Sequence, residues 1–166
     1  MATDPKDTLV IELKHGEVVI ELLPEVAPKH VERVKALARA GEYDNVAFHR
    51  VIDGFMAQTG DVEHGDMEDG YNVRRAGTGG SAQADLPAEF SKLPFDRGAV
   101  GMARSQNPNS ANSQFFIMFD KGHFLNGQYT VWGRVTKGME HVDRITRGEP
   151  PAEPDRMIRV RVGGDA

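Results

Sequence analysis

Helical periodicity is confined to two short stretches of this chain, far apart, and everything between them alternates or turns. Val31, Val34, Leu37 and Ala38 recur at helical spacing after Pro28. A proline is tolerated there because a helix's first turn has no use for its N–H. Gly41 supplies a stop, so a helix is predicted over 28–40. A shorter one is expected over 139–146, behind Gly138. The rest reads as strands. Leu9, Ile11 and Leu13 alternate with Val10, Glu12 and Lys14, and after His15-Gly16 the alternation resumes at Val18, Ile20 and Leu22. That is a β-hairpin with one apolar face.

Residues 43–61 read as strand, turn, strand about Asp53-Gly54, a strong turn signal. Further strands are expected over 99–103, 114–119 and 129–135. The last places Ile158, Val160 and Val162 opposite a charged face of Arg159 and Arg161. Between 65 and 86 the chain is rich in Gly, Asp, Ala and Ser, the pattern of a long ordered loop. About eight strands without a helical crossover between each pair argue against a doubly wound sheet. The expectation is a mainly β fold: a closed eight-stranded antiparallel barrel capped by two helices, since closure removes exposed edges. The 166 residues suit a single domain, 1–166, with 1–7 and 163–166 as frayed tails.

Composition excludes several functions. A net charge of −5 argues against a general nucleic-acid binder. With no cysteine there is no disulfide, thiol catalysis or thiolate metal site, which fits a reducing cytosol. No apolar run approaches the roughly 20 residues of a membrane helix, and the first residues lack a signal peptide's apolar core. A cytoplasmic location, without membrane or nucleic-acid partners, is expected. The Gly77–Gly80 run lacks the Lys-Ser/Thr pair of a phosphate-binding loop. His64, Asp66, Glu68 and Asp69 lack a recognised ligand spacing, so no metal site is expected. Lys29, Arg33, Lys35 and Arg39 read as a solvated basic face.

The chemistry concentrates in 48–61, Phe-His-Arg-Val-Ile-Asp-Gly-Phe-Met-Ala-Gln-Thr-Gly-Asp. Within nine residues stand a cation (Arg50), an amide (Gln58) and two apolar side chains (Phe55, Met56), with no Ser, Cys, Lys or Tyr. A site built here works by hydrogen bonding and packing. His49 reads as a buried structural histidine. In Phe115-Phe116-Ile117-Met118-Phe119, alternation puts Phe115, Ile117 and Phe119 on one face and Phe116 and Met118 on the other.

Taken with Gly101-Met102-Ala103-Arg104 and Asn112-Ser113-Gln114-Phe115-Phe116-Ile117, the 48–61 stretch resembles the cyclophilin family of peptidyl-prolyl cis–trans isomerases. Gly77-Thr78-Gly79-Gly80, Phe124-Leu125-Asn126-Gly127 and Val131-Trp132-Gly133-Arg134-Val135 look like the family's later motifs, in order. The resemblance spans 9–162 and implies an eight-stranded barrel with two capping helices. It also implies a cofactor-free isomerase acting on proline-containing peptides and on unfolded or folding proteins, expected to be monomeric.

By this resemblance Arg50 matches the catalytic arginine. Phe55, Met56, Phe116 and Leu125 match the proline pocket. Gln58 and Gln114 match groups that hold the substrate backbone, with Gln58 a donor to the reacting carbonyl. Ala103, Arg104 and Ser105 match the segment lying along the peptide, and Gly77 a glycine beside it. Arg104 stands where an asparagine is common, Phe124 where many eukaryotic members have tryptophan, and Tyr129 where they have histidine. The last two look like the bacterial branch. The resemblance thus implies weak cyclosporin binding, because Phe124 lacks the indole N–H. The rival reading is a binding module or holdase-like chaperone that captures proline-containing segments, with turnover incidental.

Overall fold

In the computed structural model, which describes residues 5–68 and 71–164, the first alternating stretch forms β1 (Thr8–Leu13) and β2 (Gly16–Leu22). Leu9 faces Ile20 and Ile11 faces Val18, and all four are buried. The first helix, α1 (Pro28–Arg39), starts at the expected proline and buries Val31, Val34, Leu37 and Ala38. It has no side-chain cap of its own. Instead the Glu89 carboxylate accepts the backbone N–H groups of Lys29 and His30, at 3.3 and 2.9 Å. That places a negative charge at the positive end of the helix dipole.

The expected strand–turn–strand over 43–61 is three short strands, β3 (Val46–Ala47), β4 (Arg50–Ile52) and β5 (Met56–Thr59). Then come β6 (Ala99–Met102), β7 (Phe115–Met118) and β8 (Val131–Lys137). The second helix, α2 (Met139–Val142), is shorter than the pattern suggests. Its continuation is a turn, and the Thr146 N–H is taken by the Asp155 carboxylate at 2.7 Å. The chain closes with β9 (Arg156–Met157) and β10 (Arg159–Val162).

Eight strands form one antiparallel sheet in the order β10-β1-β2-β8-β6-β7-β5-β4. The expected closed barrel is corrected here: the sheet is open, because its edge strands β10 and β4 are not hydrogen-bonded to each other. A separate ribbon spans the gap, pairing Val46 with Met157 and Ala47 with Arg156. The Phe48 N–H to Asp155 O bond extends this ribbon, and the Ile158 N–H, between β9 and β10, donates to Glu12 O of β1 and ties the ribbon to the sheet.

Apolar side chains pack on both sides of β7. Phe115 and Ile117 enter the main core beside Trp132, while Phe116 and Met118 join a smaller cluster with Met56, Phe95 and Leu125. The basic face expected on α1 is only partly solvated. Arg33 is buried and donates to the carbonyls of Ala84 and Asn112, at 2.6 and 3.1 Å. It ties the helix to the loop region instead of facing water. Of the ends expected to fray, Pro5–Asp7 forms a 3₁₀ turn and Asp7 pairs with Lys35 at 3.0 Å. Residues 1–4 and 165–166 lie outside the described residues. No helix among the described residues is long and apolar enough to cross a membrane.

Candidate active site

Strand register assembles the site. Arg50 stands opposite Gln58, Gln58 opposite Phe116, and Phe116 opposite Gly101, in a row across β4, β5, β7 and β6. Directly opposed residues share a sheet face, so cation, amide and aromatic ring line up. At Gly101 no side chain fits. A Cβ there would lie 2.6 Å from Phe95 and 2.8 Å from Phe116, whose rings stack at 5.7 Å.

A recess of about 120 Å³ opens over this row. Phe55, Met56, Phe116, Leu125 and Tyr129 form its apolar walls, and Arg50, Gln58, Ala103 and Arg104 its rim. The Tyr129 ring meets Phe116 edge-on at 5.8 Å. Above it lies the Arg104 guanidinium, 4.4 Å from the ring centroid, which also donates to Gln128 O and Ser105 O. Arg104 thus fastens one wall to the strand edge.

A hydrogen-bond chain leaves the recess. Arg50 donates to Gln58 Oε1 at 3.4 Å, Gln58 donates to Gln114 Oε1 at 3.1 Å, and Gln114 donates to Gly79 O at 2.9 Å. It leads into a polar recess of about 280 Å³ bordered by Gly77, Thr78, Gly79, Ser105 and Asn112, among others. The buried Asp61 carboxylate holds this loop. It accepts N–H groups from Gly77 and Gly79, at 2.8 and 3.0 Å, and from Glu63 and His64, at 3.0 and 2.9 Å. Gly77 has φ +100 with His49 against it, a conformation and a closeness that suit glycine. Burial pushes the His49 imidazole below its ordinary pKa, with Arg50 assisting and Asp61 opposing, so it is neutral beside the cation.

The structure brings together all but one of the residues singled out from sequence. Phe124 sits on the rim, 72% exposed, its ring 5.6 Å from Phe55 and outside the pocket lining. Sequence reasoning missed Glu149, whose carboxylate accepts the Arg50 Nε–H at 3.2 Å. It also missed Phe95 behind Phe116, and Asp61 under the loop. Asp61 lay at the end of the 48–61 stretch, but only the fold shows that it is buried. Among the described residues, no group of three or more His, Asp or Glu could hold a metal ion. Asp69 lies outside the described residues; Glu68 is paired with Arg156.

The site is a cation and an amide at the rim of a small, mostly apolar recess. Comparisons with known proteins place the chain in a family. The family model for cyclophilin type peptidyl-prolyl cis-trans isomerases matches residues 8–162. A probable peptidyl-prolyl cis-trans isomerase of Brucella suis is 59% identical over 169 residues, covering 99% of this chain and 86% of that protein. Peptidyl-prolyl cis-trans isomerase 9 of Schizosaccharomyces pombe is 38% identical over 162 residues, 92% of this chain and 25% of that protein.

Among solved structures, a cyclophilin from Hirschia baltica superposes with TM-score 0.87 at 28% identity, covering 100% of this chain and 77% of that one. A Cryptosporidium parvum cyclophilin type isomerase, determined in the presence of the dipeptide Ala-Pro, gives 0.81 at 27%, covering 95% and 99%. The chain belongs to the cyclophilin-type peptidyl-prolyl cis–trans isomerase family. Its enzyme class is that of the family.

Proposed function

We propose that Arg50 catalyses rotation about X–Pro bonds by hydrogen-bonding the prolyl nitrogen in the twisted transition state. The planar amide resists rotation by about 18–20 kcal/mol. Twisting ends conjugation, and the nitrogen regains a lone pair that can accept a hydrogen bond. A guanidinium, permanently charged and forked, binds that nitrogen better than the planar one, which is differential transition-state stabilisation. The observation that carries this reading is the Arg50 guanidinium at the rim of a recess of about 120 Å³. Drug-sized ligands need roughly 300 Å³ or more, whereas this space suits one small ring.

Phe55, Met56, Phe116, Leu125 and Tyr129 hold the pyrrolidine, and their dryness strengthens the Arg50 bond. Gln58 donates to the substrate carbonyl. Gly77, Ala103, Arg104, Ser105 and Gln114 border the flanking peptide, and Phe124 packs on the residue beyond the ring. The partners are proline-containing peptides and folding chains whose slow steps are X–Pro bonds. The enzyme acts as a cytoplasmic, cofactor-free monomer.

A protease-coupled assay on an Ala-Pro peptide tests this. Arg50→Ala should lose about 4 kcal/mol of stabilisation, a rate fall of roughly 10³, while still binding peptide and melting like the wild type. Undiminished turnover would overturn the role given to Arg50. Peptide capture without acceleration would favour the binding-module reading.

A further inference from the structure

Three consecutive residues, Arg147 to Glu149, dock in turn on the hairpin that carries Arg50. Arg147 Nε donates to Asp53 Oδ1 at 3.1 Å. Gly148 exchanges both backbone hydrogen bonds with Val51, each 2.8 Å. Glu149 accepts the Arg50 Nε–H at 3.2 Å. The segment is held from behind as well: the Arg147 guanidinium lies 4.1 Å over the Phe119 ring and donates to the carbonyls of Asp143 and Ile145 at 2.7 Å. A side chain on Gly148 would strike the Pro151 backbone at 2.5 Å, so the tight turn presenting Glu149 requires glycine.

We infer that Glu149 is a positioning residue for Arg50, a role resting on the catalytic part proposed for that arginine. A guanidinium has two usable edges in one plane. Glu149 occupies the Nε edge, while the fork faces Gln58 and the apolar recess. With one edge held, rotation of the plane is restricted beside a neighbouring recess of about 420 Å³ that Arg50 and Glu149 both border. An exposed ion pair adds little to stability. The anchoring of the 147–149 segment instead makes it an orienting device, because small misplacements of a catalytic group cost rate steeply.

The test compares Glu149→Ala and Glu149→Gln in the wild-type and Arg50→Ala backgrounds, with kcat and KM resolved by exchange NMR on an Ala-Pro peptide. Glu149→Ala should lower kcat about tenfold with KM little changed. Glu149→Gln, which keeps an acceptor oxygen, should recover most of that loss. The Arg50 Nε–H resonance should exchange faster with solvent in Glu149→Ala. In Arg50→Ala the second substitution should change nothing further. Equal kcat in Glu149→Ala and wild type, or an additional loss in the Arg50→Ala background, would overturn the inference. If Arg50→Ala itself stays active, the catalytic reading fails instead, so the two failures are distinguishable.

Discussion

Arg50 and Gln58 face each other directly across β4 and β5, and the guanidinium donates to the amide oxygen at 3.4 Å. The amide's nitrogen donates onward to Gln114, which holds the carbonyl of Gly79. Two strands and a loop are therefore tied to one cation.

If the fork matters as well as the charge, Arg50→Lys should be strongly impaired, though less than Arg50→Ala. Lysine is a point charge without paired planar donors. A loss of about 2.7 kcal/mol, or a 10²-fold fall in kcat/KM, is expected. A rate near wild type in the protease-coupled assay would show that charge alone suffices.

Gly101→Ala should damage both pocket and fold. The new methyl meets Phe95 and Phe116 at distances real Cβ atoms do not adopt, and both rings are buried. Overpacking of this kind costs about 1–3 kcal/mol, readable as a lower urea midpoint. KM for an Ala-Pro peptide should rise as Phe116 is pushed into the recess.

Asp61→Ala strips the acceptor from four backbone N–H groups. Hydrogen bonds to a charged group contribute about 1.5–3 kcal/mol each before relaxation and water entry. A net destabilisation of about 3 kcal/mol is therefore expected. Faster amide hydrogen exchange at Gly77 and Gly79 should accompany it, and unchanged protection there would contradict the role.

Stability and activity should respond differently to pH. Burial lowers the pKa of both His30 and His49 below the ordinary 6.5, the former despite its contact with Glu89. Below pH 6.5 the unfolded chain then binds protons that the folded chain refuses. Stability accordingly falls as pH drops from 6.5 toward the folded-state values, by up to about 1.4 kcal/mol per pH unit for each histidine. Glu89 behaves as a depressed carboxylate. Burial opposes this, but hydrogen bonds from His30 and Lys29 outweigh it, so its contribution is lost only in more acidic solution. Urea melts from pH 8 to 5 would show the slope, and His49→Gln should reduce it. Between pH 6.5 and 8, kcat/KM should be flat, because the residues proposed to touch substrate include no histidine, aspartate or glutamate.

Cyclosporin should inhibit weakly, since the exposed Phe124 ring carries no donor. Phe124→Trp should tighten inhibition, as read from IC50. Nanomolar inhibition of the wild type would contradict this.

Much of the molecule was legible locally. The period-two stretches became β1, β2 and β10, Pro28 opened a helix, and the split between Phe115 and Phe116 placed them in different clusters. Period and turn chemistry depend on neighbours in the chain, so sequence alone determined these elements, their faces and the absence of a nucleophile in 48–61. Only tertiary structure decided the rest. Whether the sheet closes depends on whether β4 and β10, far apart in the chain, pair with each other, and they do not. Arg33 became a buried tie through acceptors in a distant segment, and Glu149 reached Arg50 across 99 residues. Strand register, summed over four strands, set the row from Arg50 to Gly101. No single stretch of chain contains that sum.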